Sequence, residues 1–224
     1  MVYLIGILAF GLSWLVKFRF NSVMKQLSRV ATQSGMSGQE IAEAMLRDHK
    51  IHDVQVISVR GQLTDHYNPA KRTVNLSEAV YAQRNVTAAA VAAHEVGHAI
   101  QHATQYSFLQ MRSRLVPVVS LTSRFSGIVL MAGIVTIQTF PQVMLVGIIM
   151  LAAATLFSVI TLPVEFDASR RALAWLEQTG ISRGEEQELA TKGLRWAAMT
   201  YVVAALGSLA TLLYYLNIYQ RGRR

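Results

Sequence analysis

Long runs of uncharged residues divide this chain into membrane-like and polar stretches. Residues 1–16 carry no charge, residues 125–164 are 40 consecutive uncharged positions, and residues 196–220 are again uncharged. A helix needs about 20 apolar residues to cross a bilayer core of about 30 Å. The pattern therefore predicts about four transmembrane helices, two of them in the central region, at residues 1–20, 116–162 and 196–220.

Two helix signals occur in the first polar stretch. Ser37 and Glu40 have the spacing of a capping box, which predicts a helix that continues to about residue 49. Asn85 stands at an N-cap position before an alanine-rich stretch, which predicts a second helix over residues 86–102. In both cases a side chain near the helix start is placed to satisfy backbone N–H groups that have no partner within the helix.

Strand signals lie between these two helices. Three short stretches rich in branched or aromatic residues are predicted as strands, at residues 54–59, 63–67 and 72–76. With the two helices they predict a small α+β domain over residues 21–115. Residues 73–77 fit either a buried central strand or a sheet edge, where an extended peptide can pair with the backbone.

The second polar stretch, residues 163–195, is predicted to be helical. Pro163 suits the first turn of a helix, so we expect a new helix to start there. With four spans, residues 21–115 and 163–195 lie on the same side of the membrane. They hold most of the lysines and arginines, and positively charged loops remain in the cytoplasm. We therefore expect a multi-pass protein of the plasma membrane with both stretches on the cytoplasmic side.

The composition agrees with a membrane protein and limits its chemistry. Charged residues make up 15% of the chain, against about 25% in soluble domains, which excludes a wholly soluble protein. The net charge is +8, but aromatic residues do not alternate with basic ones in any patch, so nucleic acid is not an expected partner. The chain has no cysteine, so a metal site must use His, Asp or Glu.

The strongest chemical signal is His94-Glu-Val-Gly-His98 within the second predicted helix. Histidines at positions i and i+4 project from one helical face and can share one Zn²⁺ ion. Glu95 is placed to reach a metal-bound water, whose pKa zinc lowers to about 7, and to transfer its proton to the leaving amine. Three fixed residues also arise by chance, but the helical context and the small Gly97 favour a zinc site.

A third metal ligand is expected after the third span, in Leu162-Pro-Val-Glu-Phe-Asp-Ala-Ser-Arg-Arg171. Glu165 is the leading candidate because it completes a His₂Glu set that leaves one position open. Alternatively, Glu165 caps its helix and pairs with an arginine. His102 lies one helical turn beyond His98 and is expected to be structural. Asp167 is two residues from Glu165 and is expected to pair with a neighbouring arginine.

Several further polar residues are candidates for supporting roles. Ser169 is four residues after Glu165 and shares its helical face, so it either hydrogen-bonds a ligand imidazole or simply packs there. Stabilisation of an oxyanion has three candidates in this sequence, none of which the pattern favours over the others: His66, Tyr67 and Arg171.

The chain resembles the YugP-type membrane zinc metallopeptidases. The resemblance rests on three stretches: Leu63-Thr-Asp-His-Tyr-Asn-Pro69, Ala92-Ala-His-Glu-Val-Gly-His-Ala-Ile-Gln101 and Leu162–Ala172. It implies an integral membrane peptidase with zinc bound by His94, His98 and Glu165 and with Glu95 as general base. The layout is also similar to the HtpX and CAAX-protease group, whose Glu-x-x-Ala-Asp pattern reads Glu165-Phe-Asp-Ala-Ser169 here.

The expected fold is a predominantly α-helical integral membrane protein with a small zincin-like α+β domain that bears the HExxH helix. The expected function is that of a gluzincin-like zinc endopeptidase that hydrolyses membrane or membrane-associated proteins. The alternative is a non-catalytic membrane adaptor or scaffold stabilised by zinc. A metal transporter is a weaker alternative, because the predicted spans contain no His, Asp or Glu to relay an ion.

Overall fold

The computed structural model describes residues 2–222 and consists mainly of helices, with one small sheet. The elements in chain order are α1 (Val2–Leu27), α2 (Gly38–Asp48), β1 (Gln55–Val59), β2 (His66–Asn68), β3 (Thr73–Ser77), α3 (Glu78–Tyr81), α4 (Val86–Ala103), α5 (Ser107–Val135), α6 (Pro141–Gln178) and α7 (Glu185–Gly222).

The chain forms two compact units. The first, called the helical unit, comprises the described parts of Met1–Leu15, Gln110–Pro163 and Thr200–Arg224. The second, called the mixed unit, comprises Val16–Leu109 and Val164–Met199. The long helices α1, α5, α6 and α7 each contribute residues to both units.

Among the described residues, three helices are long and apolar enough to cross a membrane, namely α5, α6 and α7. They account for three of the four predicted spans. The predicted span at residues 1–20 falls on α1, but Met1 and the side chains of residues 2–9 lie outside the described part of the chain. That first span therefore stays a prediction.

Close helix packing in the helical unit depends on small and hydroxylated residues. A Cβ atom added to Gly133 would lie 2.5 Å from Met144 Cα, so only glycine allows this approach of α5 to α6. The hydroxyl groups of Thr155 on α6 and Ser208 on α7 are 2.7 Å apart. Small residues and interhelical hydrogen bonds of this kind are typical of helices packed within a bilayer.

The mixed unit contains the sheet, in the strand order β1-β3-β2. Strand β3 pairs in parallel with β1 and antiparallel with β2, and all five of its residues are buried. Of the two readings of residues 73–77, the buried central strand is therefore the correct one. The free sheet edges belong to β1 and β2.

The helix starts predicted in the mixed unit are confirmed. The Ser37 hydroxyl accepts from Glu40 N, and a Glu40 carboxylate oxygen accepts from Ser37 N at 2.7 Å, which completes the capping box of α2. The Asn85 side chain accepts from Ala88 N at 2.9 Å and caps α4. Helices α2 and α4 pack on the sheet through fully buried side chains: Ile41, Met45, Val74, Leu76 and Val96.

Two details of the predicted elements are wrong. No helix begins at Pro163, because α6 continues through this residue from Pro141 to Gln178. Proline costs one backbone hydrogen bond, which the turns on both sides of a long helix outweigh. The strand expected at 63–67 starts only at His66, since Leu63 has a positive φ of 56° that a regular strand does not accommodate.

Candidate metal centre

Helix α4 carries His94, Glu95 and His98 and packs against α6 within the mixed unit. Small side chains allow the two helices to approach closely. A Cβ atom added to Gly97 would lie 2.6 Å from the Ala168 carbonyl oxygen, so glycine is required at this position. This contact brings the face of α4 that bears both histidines against the first residues of α6 beyond Pro163.

Three potential metal ligands meet at this contact. His94 Nε2 lies 3.3 Å from Glu165 Oε2, and His98 Nε2 lies 3.6 Å from the same oxygen. One donor atom from each of the three residues lies within 4.8 Å of the others. All three side chains are largely enclosed, and Glu165 is only 2% exposed. The structure therefore brings together the two histidines and the glutamate that the sequence singled out.

These distances fit a zinc ion. Zinc binds His nitrogen and carboxylate oxygen at about 2.0–2.2 Å, so ligand atoms of a tetrahedral site lie about 3.3–3.6 Å apart. The two distances to Glu165 Oε2 fall in this range. Two imidazoles and one carboxylate are also a donor set that zinc accepts in sites with an open position. The residues present thus fit the metal by chemistry and by spacing.

Each histidine is held at its other ring nitrogen. Ser169 Oγ lies 3.1 Å from His94 Nδ1, which is the imidazole contact that the sequence left open against simple packing. Gln101 Oε1 lies 3.1 Å from His98 Nδ1. An amide oxygen only accepts hydrogen bonds, so His98 Nδ1 carries the hydrogen of this contact, and Nε2 is the ring nitrogen left to bind a metal ion.

Gln101 in turn is fixed by α6. This residue is fully buried, and its Nε2 donates to the Val164 carbonyl at 2.8 Å and to Asp167 Oδ2 at 2.9 Å. Arg171 Nε donates to the same Asp167 oxygen at 2.6 Å, and Arg170 binds the other oxygen. A chain of polar contacts therefore runs from His98 through Gln101 and Asp167 to the arginines of α6.

Glu95 is positioned by the sheet rather than by α6. The backbone N–H of Tyr67 in the edge strand β2 donates to Glu95 Oε2 at 2.9 Å. Glu95 is 8% exposed, so this carboxylate is buried but reachable. The hydrogen bond fixes the carboxylate from the side of the sheet, whereas the two histidines beside it in the sequence face α6.

The electrostatics of His98 reflect its acidic neighbours. Burial by itself lowers the pKa of this imidazole, but the carboxylate of Glu165, the charge of Glu95 and the Gln101 contact outweigh burial and raise the pKa overall. The negative charge gathered around the two imidazoles is of the sign that attracts a cation. A divalent metal ion would neutralise it.

Other residues considered from the sequence lie outside the triad. His102 Nδ1 is 2.9 Å from the Tyr67 hydroxyl, and burial raises the pKa of that hydroxyl, which keeps its proton for this bond. Asp167 pairs with Arg170 and Arg171, as predicted. His66 is exposed, and its Nδ1 lies 2.8 Å from the Thr64 carbonyl oxygen.

Two supporting contacts were missed in the sequence. The first is Gln101, whose spacing of three residues after His98 places both on one face of α4. This spacing is the signal that could have identified Gln101, because an amide on the helical face that carries both histidines is placed to hydrogen-bond one of them. The second is the Tyr67 backbone N–H, which no side-chain pattern reveals.

The comparisons with known proteins agree with this class of site. Residues 2–220 match the sequence model of a family described as "Putative neutral zinc metallopeptidase", and the chain belongs to this family. The chain is also 42% identical over 217 residues to the "Putative membrane protease YugP" of Bacillus subtilis (strain 168), covering 97% of this chain and 96% of the relative. No solved structure is significantly similar to the chain. The resemblance noted in the sequence is confirmed.

Proposed function

We propose that this chain is a membrane-anchored zinc endopeptidase of the HExxH-plus-Glu type that cleaves membrane or membrane-associated proteins. In this proposal His94, His98 and Glu165 hold the zinc ion, and Glu95 is the general base. The observation that carries the proposal is that donor atoms of His94, His98 and Glu165 meet within 4.8 Å, with both distances to Glu165 Oε2 at the spacing of a tetrahedral site. The Glu95 carboxylate lies next to His94 on the same helix.

Different residues of the chain have different roles in the proposed hydrolysis. Bound zinc would supply Lewis-acid chemistry, polarising the scissile carbonyl and lowering the pKa of water to about 7. Glu95 accepts the proton of the attacking water on its carboxylate and transfers it to the leaving amine. The hydrogen bond from the Tyr67 N–H of β2 fixes Glu95 Oε2, so the carboxylate is oriented before a substrate binds. Ser169 and Gln101 orient the two imidazoles.

The proposed membrane topology places this site in the cytoplasm. Four spans, with the first at residues 1–20, leave residues 21–115 and 163–195 on one side of the membrane. The mixed unit holds most of the 21 lysines and arginines, and such a bias marks the cytoplasmic side. Residues 21–115 then act as the catalytic domain, and residues 163–195 supply the third ligand from outside the spans.

Replacement of Glu95 by Gln tests the proposal. The change removes the general base but keeps the volume of the side chain and all three proposed ligands. We expect Glu95→Gln to bind zinc as wild type does and to lose at least about 100-fold of the cleavage rate on an unfolded, fluorescently labelled protein in proteoliposomes. Unchanged cleavage would overturn the assignment of Glu95.

A zinc-stabilised scaffold gives a different result in the same experiment. If the metal were only structural, the Glu95→Gln variant would keep every measurable property, including any binding of partners, while His94→Ala would lower the melting temperature. A structural zinc site is normally closed by four protein ligands, whereas only three donors meet within the described residues. The donor count therefore favours the peptidase.

A further inference from the structure

A cavity in the mixed unit is lined by none of the proposed metal ligands. Its volume is about 860 Å³, in the range of sites that take small molecules. One wall is a single face of α7, on which the lining positions recur every three or four residues from Gln187 to Met199. The loop before α7 supplies Ser182 and Arg183 at one end.

Polar groups without partners line this cavity. Ser182 is 3% exposed, and its Oγ atom has no hydrogen-bond partner. Gln187 Oε1 is also buried and has none, although Nε2 of the same amide donates to the Leu173 carbonyl at 3.0 Å. A buried polar atom without a partner is unfavourable, so these two atoms beside one cavity leave hydrogen bonds for a bound group to form.

The charges of the lining define the chemistry of that group. Three cations, Arg183, Lys192 and Arg195, face the cavity, and within residues 2–222 none of them forms a salt bridge. Such a set suits a phosphate. Glu177 and Glu188 also line the cavity and, with Gln187 Oε1, can accept hydrogen bonds. The matching ligand therefore carries both an anionic phosphate and hydroxyl or ammonium donors.

The order of residues along α7 adds an apolar requirement. The cationic positions Lys192 and Arg195 are followed by Trp196 and Met199 at the end of the cavity. From Trp196 onwards the helix has 25 uncharged residues, up to Gln220. Tryptophan at such a boundary is typical of the membrane interface, where basic residues bind lipid headgroups. A ligand in the cavity therefore meets charged and polar groups first and the apolar side chains of Trp196 and Met199 at its end.

We propose that this cavity binds the headgroup of an anionic phospholipid that bears hydroxyl groups, of which phosphatidylglycerol is the simplest example. Its phosphate lies against Arg183, Lys192 and Arg195 and accepts from the Ser182 hydroxyl. Its hydroxyl groups donate to Gln187 Oε1 and the glutamates, and its acyl chains leave the cavity at Trp196 and Met199. The proposal is independent of the metal centre, since the two sites share no residue.

The test is lipid-dependent thermal stability of the full chain, purified in detergent and stripped of lipid. Phosphatidylglycerol is expected to raise the melting temperature in a saturable manner. Phosphatidylcholine should have little effect, since it has a phosphate but neither donors nor net charge. Inorganic phosphate and glycerol 3-phosphate should also have little effect, because they lack acyl chains. A full shift with either free anion, or an equal shift with phosphatidylcholine, would overturn the proposal.

Variants locate the effect on α7. Lys192→Gln combined with Arg195→Gln should weaken the response to phosphatidylglycerol about 10- to 30-fold in lipid concentration, since each basic residue contributes about 1 kcal/mol near a lipid surface. The matched control, Arg60→Gln combined with Lys71→Gln, removes two exposed cations elsewhere in the mixed unit and should respond as wild type.

A single substitution provides a second test if the double variant does not fold. Ser182→Ala removes one oxygen that has no partner, so the lipid-free protein should melt at or above the wild-type temperature while its response to phosphatidylglycerol weakens. An undiminished response in both the double variant and Ser182→Ala would contradict the assignment of this cavity.

Discussion

The side-chain amide of Gln101 donates a hydrogen bond to the carboxylate of Asp167, from α4 to α6, at 2.9 Å. The same amide accepts from His98 through its oxygen. The orientation of a proposed zinc ligand on α4 is thus set by an acidic residue of α6, two positions after the third proposed ligand. Helices α4 and α6 thus supply both the proposed zinc ligands and the side chains that position them.

Loss of the Gln101 amide should weaken zinc binding. Gln101→Met fills a similar volume but cannot hold His98 Nδ1, and removal of such a partner typically costs 10- to 100-fold in metal affinity. We expect a loss of that size in competition with a calibrated chelator. Gln83→Ala, in an exposed loop of the same unit, is the control and should bind zinc as wild type does. Wild-type affinity of Gln101→Met would show that the contact does not support the metal.

Alanine at Gly97 should destabilise the protein. The added methyl group would lie 2.6 Å from the Ala168 carbonyl oxygen, so α4 and α6 must separate, at an expected cost of about 1–3 kcal/mol. Thermal unfolding of the variant measures this loss. The control is Gly127→Ala on α5, where nothing lies within 4 Å and alanine should be neutral or stabilising by about 0.5–1 kcal/mol. Equal melting temperatures of the two variants would refute this account of the helix contact.

The capping box of α2 should make stability depend on pH below about 4.5. The Ser37 N–H and the Arg84 guanidinium lower the pKa of Glu40 from its usual value of 4.5. The unfolded chain therefore binds this proton at higher pH than the folded chain, so the contribution is complete above the unfolded pKa and is lost as the pH falls through the folded pKa.

Glu40→Gln checks this pH dependence. The variant should be less stable than wild type at pH 7 and should approach it as the pH is lowered from 5 to 3, as followed by melting temperature. Arg84→Gln removes only one of the two groups that lower the Glu40 pKa. The pH dependence of its melting temperature should therefore differ less from that of wild type. A constant difference between Glu40→Gln and wild type across this range would contradict the assignment.

Local signals predicted much of this structure. Ser37, Glu40 and Asn85 predict the caps of α2 and α4, because capping requires particular side chains at fixed positions relative to the helix start. The spacing of His94 and His98 likewise fixes their common face, since it follows from the helical repeat alone. These features depend on a few neighbouring residues, which the sequence displays directly.

Features that depend on distant parts of the chain were harder to predict. Pro163 carries a general preference for helix starts, but the helical turns on both sides of it keep α6 continuous from Pro141 to Gln178. Whether residues 73–77 form an edge or a central strand depends on where β1 and β2 pair, which alternation within one strand does not reveal. The Tyr67 N–H donates to Glu95 only because β2 lies beside α4. Every residue except proline has this backbone group, so no sequence motif identifies it.

The central claim is a three-ligand zinc site that includes Glu165, and the zinc content of the purified chain tests it most directly. Wild type and Glu165→Ala are purified in detergent side by side, and zinc per chain is measured with a melting curve of each to verify folding. The account predicts about one zinc per wild-type chain and far less in the folded variant. Equal zinc in both proteins would contradict it, and so would a folded wild type that binds no zinc.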